Sequence, residues 1–237
     1  MIKNVLFAGK DFPSGEQYLS SASDTGLTAL ITCPSDENDN GNPQILSWNR
    51  GSVVSSHSLV IQAENSTAGI DAACLIFDAP HFSKVYADSQ KSSAQIIVND
   101  LILSYQLLAK ALIDRFIIKK HGKMAFLLRA SALRCESGKK NTPVNVHTDI
   151  SAAMLASAEA AFESFAENFA SVYAASLNDK ILLIRAEDES DRDTADFVCR
   201  KLASDADKNT KKSTKDAVKW ISVSGKDEGA FNFFKRL

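Results

Sequence analysis

Proton transfer is the first chemistry to look for in this sequence, and two histidine-bearing stretches invite it. His147-Thr148-Asp149 together with Arg129 would make an acid/base cluster, and His81 follows Pro80 at the end of an apolar run. Histidine titrates nearest neutral pH, and a carboxylate beside it would orient the ring. Each of these histidines reads better as a surface or cap-region residue than as a catalytic one. Nucleophilic catalysis finds no support, because no Gly-x-Ser-x-Gly elbow occurs. Cys33, Cys74, Cys135 and Cys199 are scattered without a Cys-x-x-Cys pair, so they read as buried free thiols, and no His/Cys/Asp/Glu spacing suggests a metal. Lys208, Lys211, Lys212, Lys215 and Lys219 have no aromatic residues interleaved, which fits a solvated face better than a nucleic-acid site. What remains is a glycine-containing turn, Gly9-Lys10-Asp11-Phe12-Pro13-Ser14-Gly15, directly after an apolar run, with Asp78 and Arg129 directly after two others.

Those runs have the character of strands buried on both faces. Val5-Leu6-Phe7-Ala8, Leu27 to Thr32, Gln44 to Trp48, Ala72 to Phe77, Met124 to Leu128, Ile181 to Ile184 and Lys219 to Val223 predict seven strands. Helices are predicted between them: from Glu16 to about Ser23, over residues 93–120 with Ile97, Leu101, Leu108, Leu112 and Phe116 on the apolar side, and from Thr194 to Ala203. Residues 55–65 read as helix or strand, since Val53, Val54, Val60 and Ile61 suit either. The longest helix spans residues 150–177. Met154, Leu155, Ala158, Ala161, Phe162, Phe165, Phe169, Val172 and Tyr173 form its buried stripe, and Ala152, Ala153, Ala156, Ala160, Ala166 and Ala170 would admit a second helix. It contains no lysine, histidine or cysteine.

Alternating apolar strands and helices predict an α/β fold: a doubly wound, mostly parallel sheet of Rossmann type, covered on both faces. The 237 residues suit one such domain, with the polar residues 132–149 as a surface insertion. A formal charge of -2 gives no reason to expect nucleic acid or an anionic membrane, the apolar runs read as too short to span a bilayer, and no signal peptide is recognisable at the start. The cytoplasm is the expected location.

The order of these parts resembles the short-chain dehydrogenase/reductase (SDR) family. Ile70 through Asp78-Ala79-Pro80 is similar to the family's strand ending in Asn-Asn-Ala-Gly, with one extra residue. Val98-Asn99-Asp100-Leu101, followed by Gly122 to Phe126, resembles its Asn-bearing helix and the next strand. Leu202-Ala203-Ser204-Asp205 and Ile221 to Gly225 resemble its closing helix and strand. The resemblance implies NAD(H) or NADP(H) held by a TGxxxGxG turn, matched here by Ala8, Gly9, Pro13 and Gly15, so that Pro13 stands where an amide donor belongs. Gly9, Gly15, Asp78, Ala79 and Asn99 are the cofactor-binding residues it implies. After the second strand, Cys33-Pro34-Ser35 occupies the place of a ribose-binding acid, with Asp36 the nearest carboxylate.

The family's catalytic pair, a Tyr and a Lys four residues later, aligns with Leu155 and Glu159, and the Ser position falls on Arg129 or Ser131. No Tyr-x-x-x-Lys exists anywhere: Ala22, Gln90, Ala109 and Leu177 stand four residues after the tyrosines. The expectation is therefore an SDR-like protein without Tyr/Lys catalysis, binding a nucleotide-like or other small molecule or a protein partner, and forming a homo-oligomer through helices 93–120 and 150–177. Two alternatives stand beside it. One is an NAD(P)-dependent oxidoreductase with Arg129 and Asn99 nearest the substrate; the other is a structural subunit whose crevice is filled by Phe12 or Phe77.

Overall fold

The computed structural model describes residues 2–34, 41–87, 93–130, 150–173, 181–204 and 219–225. Its seven strands are β1 (Asn4–Ala8), β2 (Thr28–Pro34), β3 (Ile45–Trp48), β4 (Ala72–Asp78), β5 (Lys123–Arg129), β6 (Ile181–Ala186) and β7 (Trp220–Ser222). They form one sheet in the order β3-β2-β1-β4-β5-β6-β7, with every pair parallel. The chain winds outward from β1 to β3, then returns to β4 and winds the other way. The switch point lies between β1 and β4, where folds of this kind open a crevice beyond the strand ends.

Successive side chains of a strand point to opposite faces, which divides the core in two. Leu6, Ala8, Leu75, Phe77 and Phe126 face the layer built by α2 (Val53–Thr67), α4 (Ala94–Val98), α5 (Ser104–Lys119) and α6 (Ile150–Tyr173). Val5, Phe7, Cys74, Ile76 and Leu127 face α1 (Glu16–Asp24) and α7 (Asp191–Ala203). Covering both faces explains why β4 is buried at every position and reads as an unbroken apolar run.

The segment left open between helix and strand is the helix α2. Ser52 caps it by accepting from Ser55 N, and Leu59, Val60 and Ala63 are buried at helical spacing. The short helix α3 (Ala79–Val85) lies where only a strand end was expected. Asp78 caps it and Pro80 occupies its first turn, both ordinary start signals for a helix. A π-helical turn, Asn99–Leu103, joins α4 to α5. The resulting helix, Ala94–Lys119, corrects one expectation: by length and composition it could cross a membrane. Half of its most apolar window is buried inside the protein, as in a core helix.

Helix α6 also differs from its predicted pattern. Ala158, Phe162, Ala166, Phe169 and Ala170 are buried, whereas Val172 is 68% exposed. Ala166 and Ala170 thus belong to the inner stripe, and the outward side is Ala153, Ala156 and Ala160. Edge strand β7 is fastened to α6 by Trp220, whose indole N–H donates to Glu167 Oε1 (2.8 Å) while Arg185 lies over its ring at 5.3 Å.

At the amino end of β5, Lys123 is a buried lysine that closes α7. Its ammonium donates to the carbonyls of Lys201 (2.5 Å), Ser204 (2.9 Å) and Leu202 (3.3 Å), a cation at the negative end of the helix. Replacing it would leave these carbonyls short of donors. Lys123→Met is expected to lower stability by about 2 kcal/mol in urea unfolding; a loss below about 0.5 kcal/mol would show that the carbonyls are satisfied by other means.

Candidate functional site

Gly9 begins the site because β1 cannot continue past Ala8 without meeting β4. A Cβ at Gly9 would lie 2.1 Å from the Ile76 carbonyl oxygen and 2.6 Å from the Tyr105 hydroxyl, and the backbone φ is +116°. That hydroxyl donates to the same Ile76 carbonyl at 2.6 Å. The turn then folds back upon itself. Phe12 N donates to Thr32 O (2.8 Å), Gly15 N to Asp11 O (3.0 Å) and Glu16 N to Pro13 O (3.1 Å). Gly15 caps α1, and its Cβ position lies 2.2 Å from Lys10 O. The amides that would cradle a pyrophosphate are therefore largely spent on the turn, and Pro13 offers none.

Two groups of charged side chains occupy the strand ends above it. In the first, Lys10 reaches from β1 to Asp78 Oδ2 at the end of β4 (2.6 Å) and to Asp191 Oδ1 at the start of α7 (2.7 Å). Arg129, at the end of β5, also pairs with Asp191, lies 3.8 Å from Asp78 Oδ2, and donates to the Glu189 carbonyl. Lys10 and Asp78 are only 4% and 3% exposed, so this is a buried assembly whose ions need one another. Burial works against the Asp191 carboxylate, but Lys10 and then Arg129 outweigh it and hold its pKa below the usual carboxylate range.

The second group is built on Arg50. It donates to Asp11 Oδ2 (2.6 Å) and to the Gly9 carbonyl, while Asp11 also accepts from the Thr32 hydroxyl. Its guanidinium carbon lies 5.3 Å from the Trp48 ring centre and 5.4 Å from that of Phe82. Across both groups, Lys10, Arg50 and Arg129 are matched by Asp11, Asp78 and Asp191.

The residues singled out from the sequence divide accordingly. Gly9, Gly15 and Asp78 come together around the turn. Ala79 is buried at the start of α3 and presents no polar side chain. Asn99 begins the π-turn, where its Oδ1 accepts from Gln95 Nε2 (3.0 Å), beside Gly51 of the β3–α2 loop. Arg129 is in the network. His81 is in the first turn of α3, its N–H donating to Asp78 Oδ1 (2.9 Å). Burial pushes its imidazole down against the pull of Asp78, which favours the neutral ring. Ser131, Asp36 and His147-Thr148-Asp149 lie outside the described residues, as does the segment 132–149.

On α6, Leu155 is partly buried and Glu159 is 1% exposed. One turn further on, Phe162 packs against Tyr105 (4.9 Å), Phe77 (5.3 Å) and Phe126 (6.0 Å). Burial also pushes the phenols of Tyr18, Tyr86 and Tyr105 up, opposite to what a tyrosine base requires. Neither Phe12 nor Phe77 fills the crevice: Phe12 packs on the α1/α7 side and Phe77 in the aromatic core, while charged side chains occupy the strand ends. Among the described residues, no group of three His, Cys, Asp or Glu could hold a metal ion.

Sequence reasoning missed Lys10, Asp11, Arg50 and Asp191. The available signal was position: Lys10 and Arg50 each stand within two residues of a strand's carboxyl end, the edge at which such a fold gathers its ligand contacts.

No protein-family model matches this chain. It is 29% identical over 161 residues to an uncharacterized protein of Treponema pallidum (strain Nichols), covering 66% of this chain and 65% of that protein's length. Solved structures of similar shape include a short chain dehydrogenase from Mycobacterium smegmatis, with TM-score 0.61 and 14% identity over 94% of this chain and 92% of that one. The enoyl-[acyl-carrier-protein] reductase (NADH) of Aquifex aeolicus VF5 aligns with TM-score 0.57 and 14% identity, over 83% of this chain and 86% of its own. A short chain dehydrogenase from Leptospira borgpetersenii with bound NAD+ gives 0.53 and 13%, over 84% and 78%. At such identities the likeness is one of fold: the chain has the seven-stranded, doubly wound Rossmann-type architecture of the short-chain dehydrogenases.

Proposed function

We propose that the protein is an SDR-like Rossmann-fold protein that performs no Tyr/Lys oxidoreductase chemistry and acts by binding. The observation that carries this reading is the balanced charge assembly at the switch point, in which Lys10, Arg50 and Arg129 each pair with a carboxylate of the chain. A dinucleotide pyrophosphate would have to part these pairs. Breaking a buried pair costs about 3–5 kcal/mol, and each 1.4 kcal/mol is a tenfold loss of affinity. A micromolar cofactor site would thereby become millimolar. Leu155 and the buried Glu159 in place of Tyr and Lys support the same reading for the chemistry.

We take all 237 residues as a single domain of this kind, with association between copies as the role of its outer helices. Ala153, Ala156 and Ala160 form a smooth outward side of α6, and Val172 and Ile118 expose 68% and 75% of their surface. These features suit pairing of the α5 and α6 faces with those of a second copy. Light scattering at micromolar concentration should give a multiple of the monomer mass.

Calorimetric titration of the purified chain with NAD+, NADH, NADP+ and NADPH tests the central reading. No binding at micromolar concentration and no nicotinamide turnover on a carbonyl panel are expected. Micromolar binding would overturn it in favour of an NAD(P)-dependent oxidoreductase, with Gly9, Gly15, Asp78, Ala79 and Asn99 as the cofactor contacts. In that case Arg129 and Asn99 stand nearest the substrate, and Asn99→Ala and Arg129→Ala should reduce turnover.

A further inference from the structure

The β3–α2 loop turns Arg50 inward from the end of β3, and its side chain is only 10% exposed. Among the described residues, the groups that meet its guanidinium offer electron density: the face of Trp48, the face of Phe82, the Asp11 carboxylate and the Gly9 carbonyl oxygen. Tyr105 packs edge-on to Trp48 with ring centres 6.4 Å apart, and Tyr86 packs on Phe82 at 6.2 Å, completing an aromatic wall. Trp48, Phe82, Tyr86 and Tyr105 are all buried, and Trp48 and Tyr105 are also held by hydrogen bonds to the Ser56 hydroxyl and the Ile76 carbonyl.

A chamber of ring faces, a carboxylate and a carbonyl attracts cations and repels phosphate. In folds of this type the glycine turn ordinarily faces an anionic ligand. Asp11, set within that turn and held by Thr32 and Arg50, gives it the opposite charge preference. Two aromatic faces together with a carboxylate favour a planar, delocalised guanidinium over a compact, strongly hydrated ammonium.

We propose that this chamber is a guanidinium site that the chain fills in cis with Arg50, and that the ligand class it accepts once Arg50 is absent is an organic cation bearing a guanidinium group. The tethered side chain is present at high effective concentration, so a free ligand competes poorly with it. The inference rests on the reading of the crevice as closed to dinucleotides, and the two fail separately. Micromolar NAD(P) binding to the unaltered protein sinks that reading, whereas the experiment below bears on the cation site alone.

Arg50→Ala vacates the chamber, and methylguanidinium is the probe. Its melting temperature should fall below that of the unaltered protein and rise again with millimolar methylguanidinium, by about 3–5 °C at ten times the dissociation constant. Methylammonium should restore less, and phosphate and NAD+ nothing. The same titrations should leave the unaltered protein unmoved. Asp11→Asn combined with Arg50→Ala should abolish the response. If Arg50→Ala does not fold in buffer, recovery of native circular dichroism on adding methylguanidinium reads the same site, and failure to recover counts against it. The proposal is overturned if methylguanidinium does no more for Arg50→Ala than for the unaltered protein, or if phosphate or NAD+ stabilises the variant instead.

Discussion

Gly9→Ala is expected to destabilise the protein by about 3–5 kcal/mol, measured as the shift in urea midpoint at unchanged slope. Two separate costs combine. The backbone at Gly9 has φ +116°, a conformation that costs a non-glycine residue about 1–3 kcal/mol. The added methyl would also lie 2.1 Å from the Ile76 carbonyl oxygen and 2.6 Å from the Tyr105 hydroxyl, groups already bonded to each other. Neither can yield cheaply, because Ile76 belongs to the central strand β4 and Tyr105 is wedged among Trp48, Phe77 and Phe162. Overpacking at such a place costs about another 1–3 kcal/mol. The requirement for glycine is satisfied by the fold alone, with no ligand. A variant within 1 kcal/mol of the unaltered protein would show that β1 and β4 can separate at this end, and would weaken the description of a closed crevice.

That double meaning of Gly9 illustrates how far the sequence could be read. The strands were legible because a parallel sheet covered on both faces leaves unbroken apolar runs, as in Val5 to Ala8 and Ala72 to Phe77, each stopped by a glycine or an acid. Helix α2 was ambiguous because Val53, Val54, Val60 and Ile61 are β-branched, and its cap at Ser52 and burial against the sheet decide it. Helix α3 went unread because a strand ending in Asp78-Ala79-Pro80 looks like a stop, although the same residues are a cap and a first-turn proline. Half of the crevice was legible from position, since Gly9, Asp78 and Arg129 all follow strands. Their partners were not. Lys10 meets Asp191 across 181 residues and Arg50 meets Asp11 across 39, and no local pattern encodes which charges a sheet will gather at one end. Family-like spacing predicted a phosphate cradle there. Asp11 places a carboxylate in that turn and Arg50 is spent on pairing with it, without disturbing the spacing of the glycines.

Lys10→Met should cost about 3–5 kcal/mol at pH 7, and the loss should depend on pH in a definite direction. Methionine fills most of the lysine's volume, so the expected effect is electrostatic. Without the ammonium, Asp78 stays buried with, among the described residues, only the His81 backbone N–H at 2.9 Å and the Arg129 guanidinium at 3.8 Å. An uncompensated buried carboxylate carries the larger share of that cost. Asp191 carries the smaller share, because 38% of its side chain is exposed and solvent screens it. Burial raises its folded pKa, but Lys10 and then Arg129 outweigh that and leave the pKa depressed. A carboxyl depressed in the folded state contributes stability that is present above its unfolded value near 4 and is lost as pH falls through the lower folded value. The unaltered protein should therefore lose stability below about pH 4, while the variant, with less depression at Asp191, loses less over the same interval. The gap between the two proteins should narrow on acidification, as read from urea unfolding at pH 7 and at successive steps below pH 4. A gap that stays constant with pH, or one smaller than 1 kcal/mol at pH 7, would mean that Lys10 does not hold the strand ends together. The closed crevice would then have to be attributed to the Arg50 group alone, which draws its hold from ring faces and Asp11 and touches neither Asp78 nor Asp191.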